Sequence, residues 1–341
     1  MARILTMRQA LSEAFRQVME EDPTVIMMGE DIAGGMGAPG ELDAWGGDLG
    51  ITKGLIGRFG MERVLDTPIS ETAYVGAAVG AATAGLRPIA ELMFVDFMGV
   101  CFDQLLNQAA KFRYMFGGKA ETPIVIRAMC GAGFRAAAQH SQMLTSTFTH
   151  IPGLKVVCPS NPYDAKGLLI QAIRDNDPVI FLEHKNLYGH ESEVPEESYA
   201  IPFAEANIVR EGKHATIVTY GQTVYRSMDA AAALAREGVE CEVIDLRTLS
   251  PIDMDTVLES VENTGRLICV DEANPRCSIA ADVSAMVAQE AFDALKAPIR
   301  MVTAPHTPVP FSPALEDLYV PSADTIAGAV RKIMSGARRA A

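Results

Sequence analysis

Several features that mark common protein classes are missing from this chain of 341 residues. Its six cysteines are dispersed without a C-x-x-C pair, which argues against a zinc ribbon or a disulfide framework and favours reduced core cysteines. The longest nearly uncharged apolar run, Ala73 to Leu86, is too short to cross a bilayer. No G-x-G-x-x-G stands between a strand and a helix, and no G-K-[ST] is present. The sequence therefore argues against a membrane span, a structural zinc site and the common nucleotide-binding motifs.

Positive charge is also scarce, since the formal net charge is −14. The one basic cluster, Arg331-Lys332 with Arg338-Arg339, is short, so a nucleic-acid partner is not expected. The opening stretch MARILTMRQALSEAF has polar and acidic residues where a secretory signal needs an apolar core. We therefore expect a cytoplasmic protein with no membrane partner.

Two α/β domains are predicted from the length and from the alternation of strand and helix patterns. Apolar runs such as RPIAELMF, TPIVIRAM and PVIFLEH alternate with helical stretches, which is typical of a parallel sheet with helices on both faces. The polar, acidic stretch YGHESEVPEESYAIP interrupts this pattern, and the same alternation then restarts. The predicted division is a domain over 1–189, a linker over 190–203 and a smaller α/β domain over 204–341.

Glu71 is the first candidate functional residue, because it begins a helix whose first turns are almost entirely apolar. Such a carboxyl can hold a short hydrogen bond to a heterocyclic nitrogen of a cofactor. The alternative is a simple helix start, with Ser70 as N-cap and Glu71 interacting favourably with the helix dipole. Taken alone, the sequence leaves both interpretations open.

Three further stretches carry candidate residues. Met93 and Phe97, in ELMFVDFMGVCFDQ, could line an apolar slot for a flat ring, or belong to the core. His140, in AAAQHSQML, stands beside amide and hydroxyl side chains that could fix its tautomer, which suggests an acid or acyl-transfer role; a structural histidine is the alternative. Glu30 ends a buried strand, where open α/β sheets bind ligands, although an acid there can equally cap a turn.

Taken in order, these runs resemble one family. DTPISE, AAQHSQ, HIPGLKVV, DPVIFLEH and DLRTLSPID are similar to the β subunits of the thiamin-diphosphate-dependent component of acetoin and 2-oxoacid dehydrogenase complexes. The resemblance covers nearly the whole chain. It implies a transketolase-like pyrimidine-binding domain followed by a transketolase C-terminal-like domain.

The resemblance also implies roles for the candidate residues. Glu71 would hydrogen-bond the aminopyrimidine of thiamin diphosphate, Phe97 and Met93 would pack against that ring, and Glu30 would belong to the same cofactor site. His140 would act in handing the acyl unit to a lipoyl group. Catalytic roles therefore fall to Glu71 and His140.

Half of such a site is missing from the sequence. Thiamin-diphosphate enzymes commonly hold Mg²⁺ and the diphosphate with a G-D-G motif, which this chain lacks. The resemblance implies that an α subunit holds the Mg²⁺ in an α2β2 heterotetramer, and that a lipoyl-bearing acyltransferase core is a further partner. In some relatives carbonyls equivalent to Ala172, Ile173, Asp175 and Asp177 bind a structural K⁺.

Two features favour acetoin as the small-molecule substrate. The Gly-rich stretch over 32–51 is similar to that of acetoin dehydrogenases, and His306 stands where many 2-oxoacid relatives have an acid. The predicted reaction cleaves acetoin to acetaldehyde and transfers the remaining two-carbon unit oxidatively to a lipoyl group. A pyruvate or branched-chain 2-oxoacid dehydrogenase subunit is the alternative, and a non-catalytic scaffold subunit is the alternative from another class.

Overall fold

Two units divide the chain in the computed structural model, which describes residues 3–34, 46–47 and 49–335. The first unit comprises the residues up to 130 together with 147–203, and the second comprises 131–146 together with the residues from 204 onward. The predicted division had not set residues 131–146 apart from the domain over 1–189. The basic pair Arg338-Arg339 lies outside the described residues.

The elements of the first unit alternate between strand and helix along the chain. Its strands are β1 (Ile4–Thr6), β2 (Val25–Gly29), β3 (Val64–Asp66), β4 (Arg87–Phe94), β5 (Val125–Cys130), β6 (Lys155–Val157), β7 (Val179–His184) and β8 (Glu191–Glu193). The α-helices from the chain start to the end of this unit are α1 (Met7–Glu21), α2 (Leu55–Phe59), α3 (Glu71–Thr83), α4 (Met98–Asp103), α5 (Phe112–Met115), α6 (Thr145–Thr149) and α7 (Pro162–Arg174).

Six of these strands lie side by side in the order β6-β7-β5-β4-β2-β3, and each neighbouring pair is parallel. Every residue of β2, β5 and β7 is buried. Strands buried on both faces are near-continuous apolar runs, because helices cover a parallel sheet on each side. The prediction of a parallel α/β fold is confirmed.

Helix α1 begins where its sequence predicts. The Thr6 hydroxyl accepts from the backbone N–H of Gln9, and the Gln9 side chain accepts from the backbone N–H of Thr6. This capping box satisfies two N–H groups that the first turn would otherwise leave unpaired.

The polar stretch predicted as a linker over 190–203 is bound to the first unit. Strand β8 pairs antiparallel with β1. The Arg3 guanidinium donates to the backbone oxygens of Val194 at 3.2 Å and Pro195 at 2.6 Å. Lys166, which is fully buried, donates to the Pro195 oxygen and to the Glu13 carboxylate, both at 2.7 Å. Composition indicated a boundary here, but these partners are distant in sequence, so it gave no sign of the pairing.

The second unit repeats the alternation on a smaller scale. Its strands are β9 (Asn207–Arg210), β10 (Ala215–Thr219), β11 (Cys241–Asp245), β12 (Thr248–Ser250), β13 (Leu267–Asp271) and β14 (Arg300–Thr303). Its α-helices are α8 (Thr223–Ala235), α9 (Met254–Thr264), α10 (Ile279–Glu290), α11 (Pro313–Tyr319) and α12 (Ala323–Met334). Five strands form a sheet in the order β14-β13-β10-β11-β9, in which β9 runs antiparallel to its neighbour. Asp253 caps α9, and Gly265 in the left-handed conformation ends it.

All six cysteines are free, and five of them are buried; Cys277 is exposed. The expectation of reduced core cysteines is thus confirmed for all but one. Across the described ranges, no helix combines the length and the apolar character that a membrane crossing requires.

Candidate active site

Glu71 is the first residue of α3, and its side chain is buried. Ser70 occupies the N-cap position, but its hydroxyl makes no capping hydrogen bond. Within the described part of the chain, the Glu71 carboxylate itself accepts no hydrogen bond. Buried carboxylates are normally hydrogen-bonded, because leaving one unpaired is costly. The position therefore fits a carboxylate that receives its donor from a bound group.

Glu30 and Glu71 face the same tyrosine. Burial, followed by the negative charges of Glu30 and Glu71, raises the pKa of Tyr74. The Tyr74 hydroxyl donates to the backbone oxygen of Glu91 at 3.0 Å. Burial, with the charge of Glu71, also raises the pKa of the Cys101 thiol to about 12. The structure thus brings the predicted residues Glu30 and Glu71 into one electrostatic neighbourhood, in which Cys101 stays a neutral thiol.

Met93 lies near the end of the strand β4 and Phe97 lies three residues after the strand ends; both residues are half-buried. The rings of Phe97 and Phe94 meet edge to face, with centroids 5.6 Å apart. The cavity beside Met93 has a volume of about 10 Å³, which is room for roughly one water molecule. A planar ring does not fit in that cavity, so it would have to contact the accessible side of Met93 and Phe97.

A buried ionic network, whose members Glu91, Arg127 and Tyr188 line this cavity, was missed from the sequence. The Arg127 guanidinium donates to the Glu91 carboxylate and, at 2.6 and 2.8 Å, to both oxygens of Glu183. Tyr188 also donates to Glu183, at 2.7 Å. The signal was available, because a glutamate in ELMF and an arginine in IRAM are charged residues inside apolar strands. The strand register places Glu91 directly opposite Arg127, which explains why these two charged residues stand inside apolar strands.

His140 belongs to the second unit, in the loop over residues 131–146. It is half-buried. The neighbouring Ser141 was expected to help fix the histidine tautomer, but its buried hydroxyl has no hydrogen-bond partner among the residues that the structure describes. The loop is closed by the Gly131 N–H, which donates to the Gln142 backbone oxygen at 3.0 Å. The predicted residues thus fall in two groups, with Glu30, Glu71, Met93 and Phe97 in the first unit and His140 in the second.

His306 is exposed and lines a cavity of about 300 Å³ in the second unit. Gln142 and Met143, which follow His140 in the chain, line the same cavity, together with Asn274 and Tyr319. The substrate argument from the Gly-rich stretch over 32–51 depends mainly on residues 35–45 and 48, which lie outside the described residues.

At the residues proposed for K⁺, basic side chains already contact several of the expected ligands. Arg87 donates to the backbone oxygens of Ile173 at 3.0 Å and Asp175 at 2.9 Å, so two of the four expected ligands already face a positive charge. The Asp175 carboxylate accepts from Lys155 at 2.7 Å, and that of Asp177 accepts from Arg113. A K⁺ ion at this place would therefore compete with basic side chains for these oxygens. In the described ranges, no group of three or more His, Cys, Asp or Glu side chains could hold a metal ion.

Comparison with known proteins gives the class of this fold. Residues 4–191 match the family model described as the transketolase pyrimidine binding domain, and residues 204–326 match the transketolase C-terminal domain. A solved split-gene transketolase, described as an inactive beta4 tetramer, superposes with a TM-score of 0.78 at 21% identity, over 98% of this chain and 99% of that chain. That likeness shows the shared fold.

Curated relatives narrow the class. The chain is 74% identical over 338 residues to the beta subunit of an acetoin:2,6-dichlorophenolindophenol oxidoreductase from Cupriavidus necator, covering 99% of this chain and 100% of that protein. It is 58% identical to the protein of the same name from Bacillus subtilis, covering 98% of each. A pyruvate dehydrogenase E1 component subunit beta from Rickettsia felis is 47% identical, over 96% of this chain and 98% of that protein. The chain belongs to the family of dehydrogenase β subunits built from these two transketolase domains, and the family resemblance read from the sequence is confirmed.

Proposed function

We propose that this chain is the β subunit of a thiamin-diphosphate-dependent acetoin dehydrogenase. The enzyme would cleave acetoin to acetaldehyde and transfer the remaining two-carbon unit to a lipoyl group, whose disulfide bond takes up two electrons. The observation that carries the substrate is the 74% identity, over almost the full length, to an acetoin oxidoreductase subunit. Pyruvate is the second candidate, because a pyruvate dehydrogenase subunit is 47% identical over nearly the same length.

Glu71 is the residue of this chain that we assign to the cofactor. Its side chain is largely buried and its carboxylate accepts no hydrogen bond from the described residues, so an N–H of the aminopyrimidine ring would give it a partner. Met93 and Phe97 would pack against that ring, and the charge of Glu30 would act on the same neighbourhood. When bound, thiamin diphosphate supplies a carbon nucleophile and an electron sink for the cleavage of a bond beside a carbonyl. The chain contributes orientation of the ring and a proton-handling carboxyl at its edge.

The other half of the site is assigned to a partner. We infer an α subunit that holds Mg²⁺ and the diphosphate in an α2β2 heterotetramer, because this chain has no G-D-G motif. The further partner is a lipoyl-bearing acyltransferase core, and the assembly would work in the cytoplasm. His140 is assigned to the transfer of the acyl unit to the lipoyl group.

The test is turnover by the chain co-expressed with its α subunit, in the presence of thiamin diphosphate and Mg²⁺. Acetoin, pyruvate and branched-chain 2-oxoacids are compared, with 2,6-dichlorophenolindophenol as the electron acceptor. We expect acetoin to be the preferred substrate. Preference for a 2-oxoacid would overturn the substrate while leaving the family in place.

Glu71→Gln tests the assigned carboxylate in the same assay. We expect a loss of at least about a hundredfold in turnover, with assembly intact, because the variant cannot exchange a proton with the ring. Asp255→Asn is the matched control, since it removes an exposed acid from the first turn of α9. Near-wild-type turnover by Glu71→Gln would refute its role and reopen the scaffold alternative.

A further inference from the structure

The loop over residues 131–146, which carries His140, is held by two buried carboxylates of the second unit. Glu272 follows β13, and its Oε1 accepts from the Ala132 backbone N–H at 2.5 Å. Glu316 lies in α11 and is fully buried. Its Oε1 accepts from the Gly133 backbone N–H at 2.6 Å. Both acids therefore bind the backbone at the start of the loop, although they are distant from it in sequence.

Arg135 provides the countercharge that Glu316 needs. Its guanidinium donates to Glu316 Oε2 at 2.8 Å and to Asp317 at 2.5 Å, and its backbone N–H donates to Glu316 Oε2 at 3.2 Å. A fully buried carboxylate is tolerated only where it is paired and hydrogen-bonded. Arg135 therefore stabilises the buried Glu316 carboxylate, and the two side chains together tie the start of the loop to α11.

The loop backbone also takes a conformation that needs such support. Arg135 and Ala137 have φ angles of 64° and 61°, in the left-handed region that non-glycine residues rarely adopt. Such residues persist where the surrounding contacts over-determine the backbone. The direction of the chain toward His140 is set by these two residues, since they precede it by five and three positions.

We propose that Glu316 and Arg135 are positioning residues, which set the place of His140 in the transfer of the acyl unit. The inference rests on the proposed function and adds two residues to it. A catalytic group must be held to within a fraction of an ångström of its working position. His140 and Arg135 lie near the start of the second unit's sequence, whereas Glu316 lies near its end.

The experiment compares Glu316→Gln with the matched control Glu237→Gln in the assembled holoenzyme. Glu237 forms an exposed two-bond ion pair with Arg331 in the same unit, so its variant removes an Arg–Glu pair that does not contact the loop. Turnover of acetoin is measured with a lipoylated acyltransferase domain and with 2,6-dichlorophenolindophenol. We expect Glu316→Gln to lower the ratio of lipoyl to dye turnover by about tenfold, and Glu237→Gln to leave that ratio unchanged.

Two further comparisons separate positioning from general damage. His140→Asn should lower the same ratio, and the double variant Glu316→Gln/His140→Asn should lose no more than His140→Asn alone, because residues that act together are non-additive. Arg135→Lys, which keeps the charge, should retain more of the ratio than Arg135→Gln. If Glu316→Gln does not assemble, the comparison of Arg135→Lys with Arg135→Gln tests the positioning role instead, since the Arg135 side chain is only half-buried.

Losses that multiply in the double variant, or a ratio in Glu316→Gln equal to that of Glu237→Gln, would overturn the positioning role. The same follows if Arg135→Lys and Arg135→Gln have equal ratios. A wild-type enzyme that does not turn over acetoin with either acceptor would instead overturn the proposed function, so the two failures are distinguishable.

Discussion

The Tyr220 hydroxyl donates to Oδ1 of Asp271 at 2.6 Å, and both side chains are buried. Asp271 also accepts from the backbone N–H groups of Ala273 at 2.8 Å and Ala280 at 3.2 Å. The Tyr220 hydroxyl lies 3.0 Å from Oγ1 of Thr145, which is near the far end of the loop that carries His140. One tyrosine therefore joins that end of the loop to the turn between β13 and α10.

Tyr220→Phe should destabilise the second unit without changing its packing volume. The substitution leaves the buried Thr145 hydroxyl without its Tyr220 partner and removes one of the two hydrogen bonds to Oδ1 of Asp271, which should lower the free energy of unfolding by about 1 to 3 kcal/mol. Thermal unfolding of the assembled enzyme, followed by circular dichroism, measures this. Tyr114→Phe serves as the control because Tyr114 is 89% exposed. Equal melting midpoints for the two variants would show that the Tyr220 bridge contributes nothing.

Arg127→Met should be among the most destabilising single changes in the first unit. It removes the only side chain among the described residues that forms an ion pair with Glu91 or Glu183, so both buried carboxylates lose their countercharge. Breaking such a buried pair costs about 3 to 5 kcal/mol. The melting midpoint of the assembled enzyme is the readout.

A triple variant, Arg127→Met/Glu91→Gln/Glu183→Gln, provides the control for Arg127→Met. Because it removes the two charges together with the arginine, it should recover part of the lost stability. No recovery would mean that the shape of the guanidinium, and not the unpaired charge, accounts for the loss.

His190 predicts a pH dependence of stability. Burial, together with the electrostatic effect of the nearby His184, lowers the pKa of His190 below its ordinary value of 6.5. Between the lowered folded pKa and 6.5 the unfolded chain binds more protons than the folded chain, so stability is present above 6.5 and falls as the pH decreases through that window.

The measurement compares melting midpoints of the wild type and of His190→Gln between about pH 5 and 8. The wild type should lose more stability toward low pH than the variant does. His150→Gln, which removes an exposed histidine of the same unit, should follow the wild type. Parallel curves for the wild type and His190→Gln would contradict the assignment.

Potassium should have no specific effect on the first unit. Because Arg87, Arg113 and Lys155 already meet the carbonyl and carboxylate oxygens of residues 173–177, replacing K⁺ by Na⁺ at equal ionic strength should leave the melting midpoint unchanged. Arg87→Ala should lower the midpoint in both salts, since two carbonyl oxygens lose their donor. A saturable stabilisation by K⁺ alone would show that the cation binds after all.

The sequence predicted the regular elements well, because their signals are local. The apolar runs of β4, β5 and β7 and the caps of α1 and α9 lie within a few residues of the structure that they specify. Contacts between distant segments were not predictable in the same way. Nothing near Gly131 indicates that its neighbours bind Glu272 and Glu316, since those carboxylates lie more than a hundred positions further along the chain.

In the candidate site, too, local features were predictable from the sequence and contacts between distant residues were not. Glu71 was recognisable as a candidate because it begins an almost entirely apolar helix, and its side chain is buried in the structure. The K⁺ expectation rested on backbone oxygens, which carry no side-chain identity, and the sequence could not show that Arg87 contacts two of them. Candidate side chains could be identified from the sequence, whereas their contacts with distant residues could be seen only in the folded structure.

The grouping of residues 131–146 with the second unit has a practical consequence for dissecting the protein. The chain crosses from one unit to the other three times, after Cys130, after Ser146 and after Phe203. A protease that cut only at the last crossing would leave residues 131–146, which belong to the second unit, covalently attached to the first unit. A fragment beginning at residue 204 would present Glu272 and Glu316 without the backbone amides that they bind, so neither unit corresponds to a single continuous stretch of the gene.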